Sequence, residues 1–153
     1  MLSGEASKNL GAWITLQTFL PYKDFARSAA VLDRRRLGNQ RGECKAILTI
    51  LAKGTGGYSR HPAVLMWKGY EGALKVYLAA IIAEWEKRGY RHETYRPDLA
   101  DDPEMPPWLG DERLHASHRS NLLRKKPEHY SEFGWMEADD LPYFWPTKSE
   151  DYS

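Results

Sequence analysis

DRRRLGNQRGECKAILTIL, from Asp33 to Leu51, places one carboxylate, Glu43, among Arg34, Arg35, Arg36, Arg41 and Lys45. At roughly 100° per residue, Leu37, Cys44, Leu48 and Leu51 fall on one apolar stripe with Ile47 beside it, so the segment reads as an amphipathic helix. Arg36, Gln40 and Glu43 line one border of the stripe, and Arg34, Arg41 and Lys45 line the other. The helix thus offers its polar groups at the rim of the core, where a cleft begins. An acid so outnumbered is either a salt-bridged surface residue of small energetic weight or a group held for chemistry on an anionic polymer.

Working outward, the chain is mostly helical. TLQTFLPY, from Thr15 to Tyr22, is extended or irregular. Asp24 caps a short helix reaching Leu32, and the basic helix begins near Asp33. Gly54, Gly56 and Gly57 end it, and Pro62 is placed as the first residue of the next helix. The strongest periodic signal, Leu74, Tyr77, Leu78, Ile81, Ile82 and Trp85, is a core helix closed by Lys87, Arg88 and Gly89. Residues from Arg96 to Leu109 are proline-rich and acidic, hence a loop. Asp111 caps a second basic helix that must stop by Pro127. Strand-like alternation is absent, and no repeat or internal boundary is visible, so the expectation is an all-α, single compact helical domain.

At 153 residues the chain is long enough to bury about two thirds of its unfolded surface. A single Cys44 excludes an internal disulfide framework and fits a reducing compartment. The longest apolar run, Val76 to Ala83, is too short to span a bilayer. The first residues, MLSGEASKNLGAW, carry an acid and a lysine where a signal peptide needs an apolar centre. These features point to a soluble cytoplasmic protein with no membrane partner.

The formal charge of +1 conceals strong segregation. Arg34 to Arg60 holds seven bases against Glu43 alone, and Arg113 to Lys126 holds five with no acid. Two basic helices of this kind create a local field suited to phosphates. The glycines of GTGG lack the lysine of a Walker loop and follow a helix where a dinucleotide site needs a strand. His115 and His118, at i, i+3 with Glu112 a turn earlier, admit a metal site but lack a recognisable third ligand. His61 either caps the helix that starts at Pro62 or touches a nucleotide beside Arg60 and Tyr58. The terminal aromatics, Tyr130, Phe133, Trp135, Tyr143, Phe144 and Trp145, either pack over the core or stack on bases.

RLGNQRGE (36–43), GYSRHPAVLMW (57–67), EWEKRGY (84–90) and HRSNLLRKKPEHY (118–130), in that order, resemble the pyrimidine dimer DNA glycosylase family, the phage-type endonuclease V. More closely they resemble a bacterial and phage branch that begins TFLPY and ends near LPYxWP. The similarity runs from about Gln17 to Pro146. It divides the chain into a 1–16 extension, a 17–147 glycosylase-like domain and a 148–153 acidic tail.

The resemblance implies a monomeric all-α enzyme, free of metal and cofactor, that excises a damaged or modified pyrimidine from duplex DNA and then acts as an abasic-site lyase. Its nucleophile is an N-terminal α-amine, whose ordinary pKa of about 7.7 to 8.0 leaves a reactive neutral fraction, and a glutamate assists. Carried onto this chain, the catalytic positions are Glu43 with Thr18 or Gln17. Arg36, Arg41 and Lys45 keep Glu43 ionised. The DNA-binding set is Arg34, Arg35, Arg36, Arg41, Lys45, Arg60 and His61, with Arg119, Arg124 and Lys125 as a second clamp. Because some fifteen residues precede the expected amine, three explanations compete: Leu16 is the true start, the extension is removed, or the protein works otherwise, through a lysine such as Lys23 or with no lyase chemistry. A non-catalytic nucleic-acid-binding protein and a metal-dependent nuclease built on His115 and His118 are the alternatives.

Overall fold

A computed structural model of the chain describes residues 16–147, so the 1–15 extension and the 148–153 tail lie outside the described residues. The helices, in order, are α1 (Phe25–Val31), α2 (Arg34–Lys53), α3 (Pro62–Leu65), α4 (Glu71–Lys87), α5 (Glu112–Lys125) and α6 (Pro127–Tyr130), with a 3₁₀ turn at Ser131–Phe133. No strand occurs among the described residues, and the fold is all-α as the patterning requires.

The helix starts follow from local chemistry. Asp24 accepts from the Arg27 N–H and Asp111 from the Arg113 N–H, each satisfying a donor the first turn leaves open. His61 does the same for α3, its Nδ1 accepting from the Ala63 N–H at 3.0 Å. Asp33 precedes α2 without a side-chain cap. Its carboxylate is held instead by Arg36, at 3.2 Å to each oxygen, and by the Tyr130 hydroxyl. At the other end Gly54 sits at φ +73° and donates its N–H to Ile50 O, a left-handed cap that a Cβ would strain.

Helix α4 buries Ala73, Leu74, Tyr77, Leu78, Ile81 and Ile82 and packs against both α1 and α2. Trp67 is fully buried beside it, stacked on Tyr77 with ring centroids 6.2 Å apart and meeting Trp108 edge-on at 4.9 Å. On α2 the buried residues are Leu37, Gln40, Cys44 and Ile47, while Leu48 and Leu51 are only half-buried. The buried face is therefore rotated from the apolar stripe toward Gln40, which the helical wheel places on the rim.

The reason is the segment 16–20. It is extended, buried at every residue, and belongs to no sheet, so its peptide groups need partners other than a neighbouring strand. Side chains supply them. Gln40 accepts from the Phe19 N–H at 3.0 Å and donates to Gln17 O at 2.8 Å. The Tyr77 hydroxyl donates to Phe19 O at 2.5 Å, and His118 Nδ1 accepts from the Leu20 N–H at 2.8 Å. His115 Nδ1 donates to Leu20 O at 2.7 Å and Arg119 to Pro21 O at 2.7 Å.

Replacing Gln40 by Leu keeps most of its volume and strands the Phe19 N–H and the Gln17 carbonyl. With roughly 1–3 kcal/mol for each buried group left unpaired, Gln40→Leu should lower unfolding stability by roughly 2–5 kcal/mol in urea titrations with an unchanged slope.

Candidate active site

Glu43 lies where α2 passes the start of the buried segment. Its Oε1 accepts from the Gln17 backbone N–H at 2.9 Å and its Oε2 from Gln40 Nε2 at 3.1 Å. Burial pushes the carboxyl up, to about 7. The Gln17 N–H, the Gln40 amide and the positive field of Lys125 offset only part of that rise.

This corrects the expectation that Arg36, Arg41 and Lys45 hold Glu43 ionised. Arg36 is committed to Asp33. Arg41 donates to Gly38 O at 3.2 Å, pairs with His92 Nδ1 at 3.1 Å, and lies 4.1 Å over the Trp85 ring. Lys45 reaches toward the Tyr95 ring, 5.9 Å away. The cation that acts on Glu43 comes from the other basic helix.

The two candidate amine positions are also distinguished. Thr18 is fully buried, with its N–H on Gln17 Oε1 at 2.9 Å and its hydroxyl accepting from Trp67 Nε1 at 3.0 Å. It is part of the core packing. Only the nitrogen of Gln17 faces the carboxylate.

On one side of Glu43 opens a groove of about 620 Å³ between α2 and the 94–95 loop, walled by Arg41, Lys45, Thr94 and Tyr95. Gly38 and Gly42 form its floor. A glycine inside a helix costs roughly 0.5–1 kcal/mol relative to alanine. At Gly42 a Cβ would meet nothing within 4 Å, so no packing contact requires it, and its absence leaves the helix backbone open to the groove.

On the other side stand Lys125 and Arg124, both exposed, with Arg36. Lys125 is lowered by burial and by the nearness of Arg36 and Arg124, so these cations form one cluster. Arg34, Arg35 and Arg60 are exposed.

Arg119 leaves the second clamp. Its guanidinium is engaged by Glu112, by Glu137 at 2.9 Å and by Pro21 O, and only 11% of the side chain is exposed. Arg124 donates to Asp139 O at 2.9 Å and to Asn121 Oδ1. His61 caps α3 and meets Trp145 edge-on at 6.1 Å, so its capping role is realised.

Of the two histidines in the metal-nuclease alternative, His115 has no nitrogen left for a metal. His115 has both ring nitrogens on backbone groups, since its Nε2 accepts from the Gly110 N–H at 3.0 Å. His118 is fully buried and its pKa pushed down to about 3, chiefly by burial and then by His115. No cluster of His, Cys, Asp and Glu suited to a metal exists among the described residues. Two contributors escaped sequence reasoning, the satisfying role of Gln40 and the approach of Tyr143 to this site. The polar residues Ser117, Ser120 and Asn121 on the buried face of α5 were the available sign of the second.

Residues 16–98 match the model of a protein family described as pyrimidine dimer DNA glycosylase. No curated protein and no solved structure matches the chain. No helix among the described residues is long and apolar enough to cross a membrane.

A carboxyl raised from 4.5 to about 7 by folding binds more protons in the folded state across that interval. Stability is therefore lost as pH rises through it. Glu43→Gln cannot accept from both amides and carries a fixed offset, but it lacks this slope. The difference in unfolding free energy between the two proteins should change in favour of the variant by on the order of 3 kcal/mol between pH 4.5 and pH 8. Parallel stability curves would show that Glu43 titrates normally.

Proposed function

Because the chain belongs to the pyrimidine dimer DNA glycosylase family, whose model spans more than half of it, we propose that it excises a damaged or modified pyrimidine from duplex DNA and cleaves the resulting abasic site as a lyase. In this reading Glu43 is the assisting acid and residue 17 carries the attacking amine. The observation that carries it is the 2.9 Å bond from the Gln17 nitrogen to Glu43 Oε1.

A nitrogen acylated by Leu16 is an amide and no nucleophile. In a chain that begins at residue 17 the same atom is a primary amine already seated on the carboxylate. Its lone pair attacks the anomeric carbon, and the glycosidic electron pair leaves with the base, which takes a proton. Collapse to a protonated Schiff base opens the sugar. Removal of a 2′ proton then expels the 3′ phosphate. Beside a neutral amine the buried carboxyl can give or take a proton, and beside the ammonium form it is held ionised and can accept one, so Glu43 can serve as the general acid–base group in this reading.

Chemistry at a glycosidic bond requires the nucleotide to leave the helical stack. The groove beside Glu43 has room for a base, with Tyr95 on its wall. Lys125, Arg124 and Arg36 on one side, and Arg41 and Lys45 on the other, suit the phosphates that flank an extruded nucleotide. The exposed Arg34, Arg35 and Arg60 extend the same basic surface.

Borohydride trapping on abasic-site DNA tests the chemistry. A chain freshly cleaved to begin at Gln17, used before its terminal glutamine cyclises, should trap far better than the chain beginning at Met1, with the adduct mapped to residue 17. Glu43→Gln in that shortened chain should bind DNA normally and turn over at least ~10²-fold more slowly. Equal trapping by both chains, with the adduct on a lysine, would overturn the N-terminal mechanism. Binding without trapping by either would leave a DNA-binding protein that is not a lyase.

The phosphate assignment has its own measurement. Replacing Arg124 and Lys125 by alanine should weaken DNA binding and flatten its log–log dependence on salt by about 0.9 for each phosphate no longer neutralised. Unchanged affinity and slope would remove α5 from the interface.

A further inference from the structure

Residues 139–147 carry no helix or strand, yet they are fixed along α5. Arg124 donates to Asp139 O at 2.9 Å and Asn121 Nδ2 to Leu141 O at 3.1 Å. The Leu141 N–H donates to Ser120 Oγ at 3.0 Å and the Phe144 N–H to Ser117 Oγ at 3.1 Å. Ser117, Ser120 and Asn121 are buried inside the helix, where serine and asparagine are poorer formers than alanine. The bonds to this strap account for their presence.

The strap carries Tyr143 to the Glu43 site. Its ring meets His118 edge-on, with centroids 5.8 Å apart and an interplanar angle of 89°. Its hydroxyl lies at the Gln17 side chain, and the phenol is within electrostatic reach of Arg124, Arg36 and Glu43. Gln17 Nε2 and His118 Nε2, on the two side chains that Tyr143 meets, are buried and neither has a fully formed hydrogen bond. Apart from Gln17, Arg36 and Glu43, all of these residues lie beyond the segment matched by the family model.

We propose that the 139–147 strap is the roof of the Glu43 site and that Tyr143 is its positioning residue, the ring closing the Gln17–Glu43 pair off from water and the hydroxyl orienting the Gln17 amide. The groups around Glu43 are the Gln17 N–H from the buried segment, Gln40 and Cys44 from α2, Tyr77 from α4, Lys125 from α5 and Tyr143 from the strap. Lys125 favours the ionised carboxylate, but burial outweighs it. Shielding from water is therefore the strongest influence on this group, and the strap supplies one wall of the shield.

The inference takes Glu43 as the site proposed above, but its test needs no DNA. Carboxyl-¹³C glutamate labelling reads the titration of Glu43 in the free full chain. Tyr143→Ala should lower the Glu43 midpoint by ~1 pH unit or more toward the ordinary range, because admitted water favours the charged form. Tyr143→Phe, which keeps the ring, should leave the midpoint in place while changing the exchange of the Gln17 side-chain amide. If Tyr143→Ala does not fold, Ser117→Ala combined with Ser120→Ala loosens the strap that carries Tyr143, substitutes no group that faces Glu43 and improves helix propensity. The same fall is expected there. A Glu43 midpoint at the ordinary value in the unsubstituted protein, or one unmoved in the folded variants, overturns the proposal. A shifted midpoint in a protein that never traps abasic DNA would instead sink the lyase reading and leave the roof standing.

Discussion

An extended segment buried without a sheet must find a partner for each peptide group among side chains, and this requirement organises the molecule around residues 16–21. Gln40 from α2, Tyr77 from α4, and His115, His118 and Arg119 from α5 all converge on it. Each of these helices therefore has its rotation and depth set by a polar contact as well as by apolar packing. A buried network of this sort is stable only when nearly every member is satisfied. The carboxylate of Glu43 is a member of the same network, the acceptor for the Gln17 N–H.

That placement explains why the acid among the arginines is not the strongly ionised group its neighbours suggest. Side chains that share a helix are not thereby neighbours in space. Arg36 turns back to Asp33, Arg41 to Trp85 and His92, and Lys45 toward Tyr95. Each cation has a closer partner than Glu43, so burial decides the carboxyl. The result is a proton site poised near neutrality between a basic cluster and an open groove, which suits a reaction that both releases a base and removes a carbon-bound proton.

Helix positions and caps were legible because they depend on local signals. Asp24 and Asp111 before their helices, Gly54 after α2, Pro62 at the start of α3 and the periodic face of α4 all read directly from spacing. The isolation of Glu43 among bases also reads from the sequence, and in the structure its carboxylate accepts from the Gln17 N–H. What spacing could not give was the rotation of α2 toward Gln40. A glutamine on the border of an apolar stripe looks solvated unless one knows that a strandless segment lies against it. Arg119 failed for a related reason, because one of the two acids that engage it, Glu137, lies 18 residues away beyond the end of α5 and the short α6. The capping alternative for His61 and the extended or irregular start at TLQTFLPY needed no such long-range knowledge.

The Leu20 N–H and its acceptor on His118 are 98 residues apart, as are Pro21 and Arg119, and Leu20 and His115 are 95 apart. Such separations contrast with the local contacts from which helical folds are ordinarily built. On the ribosome, α1 through α4 can emerge and associate, but the chain's earliest described residues keep unpaired peptide groups until α5 has been synthesised. The carboxylate site is thus completed only after α5 has been made, long after the segment it holds. Its integrity reports on whether the two distant parts of the described chain have come together.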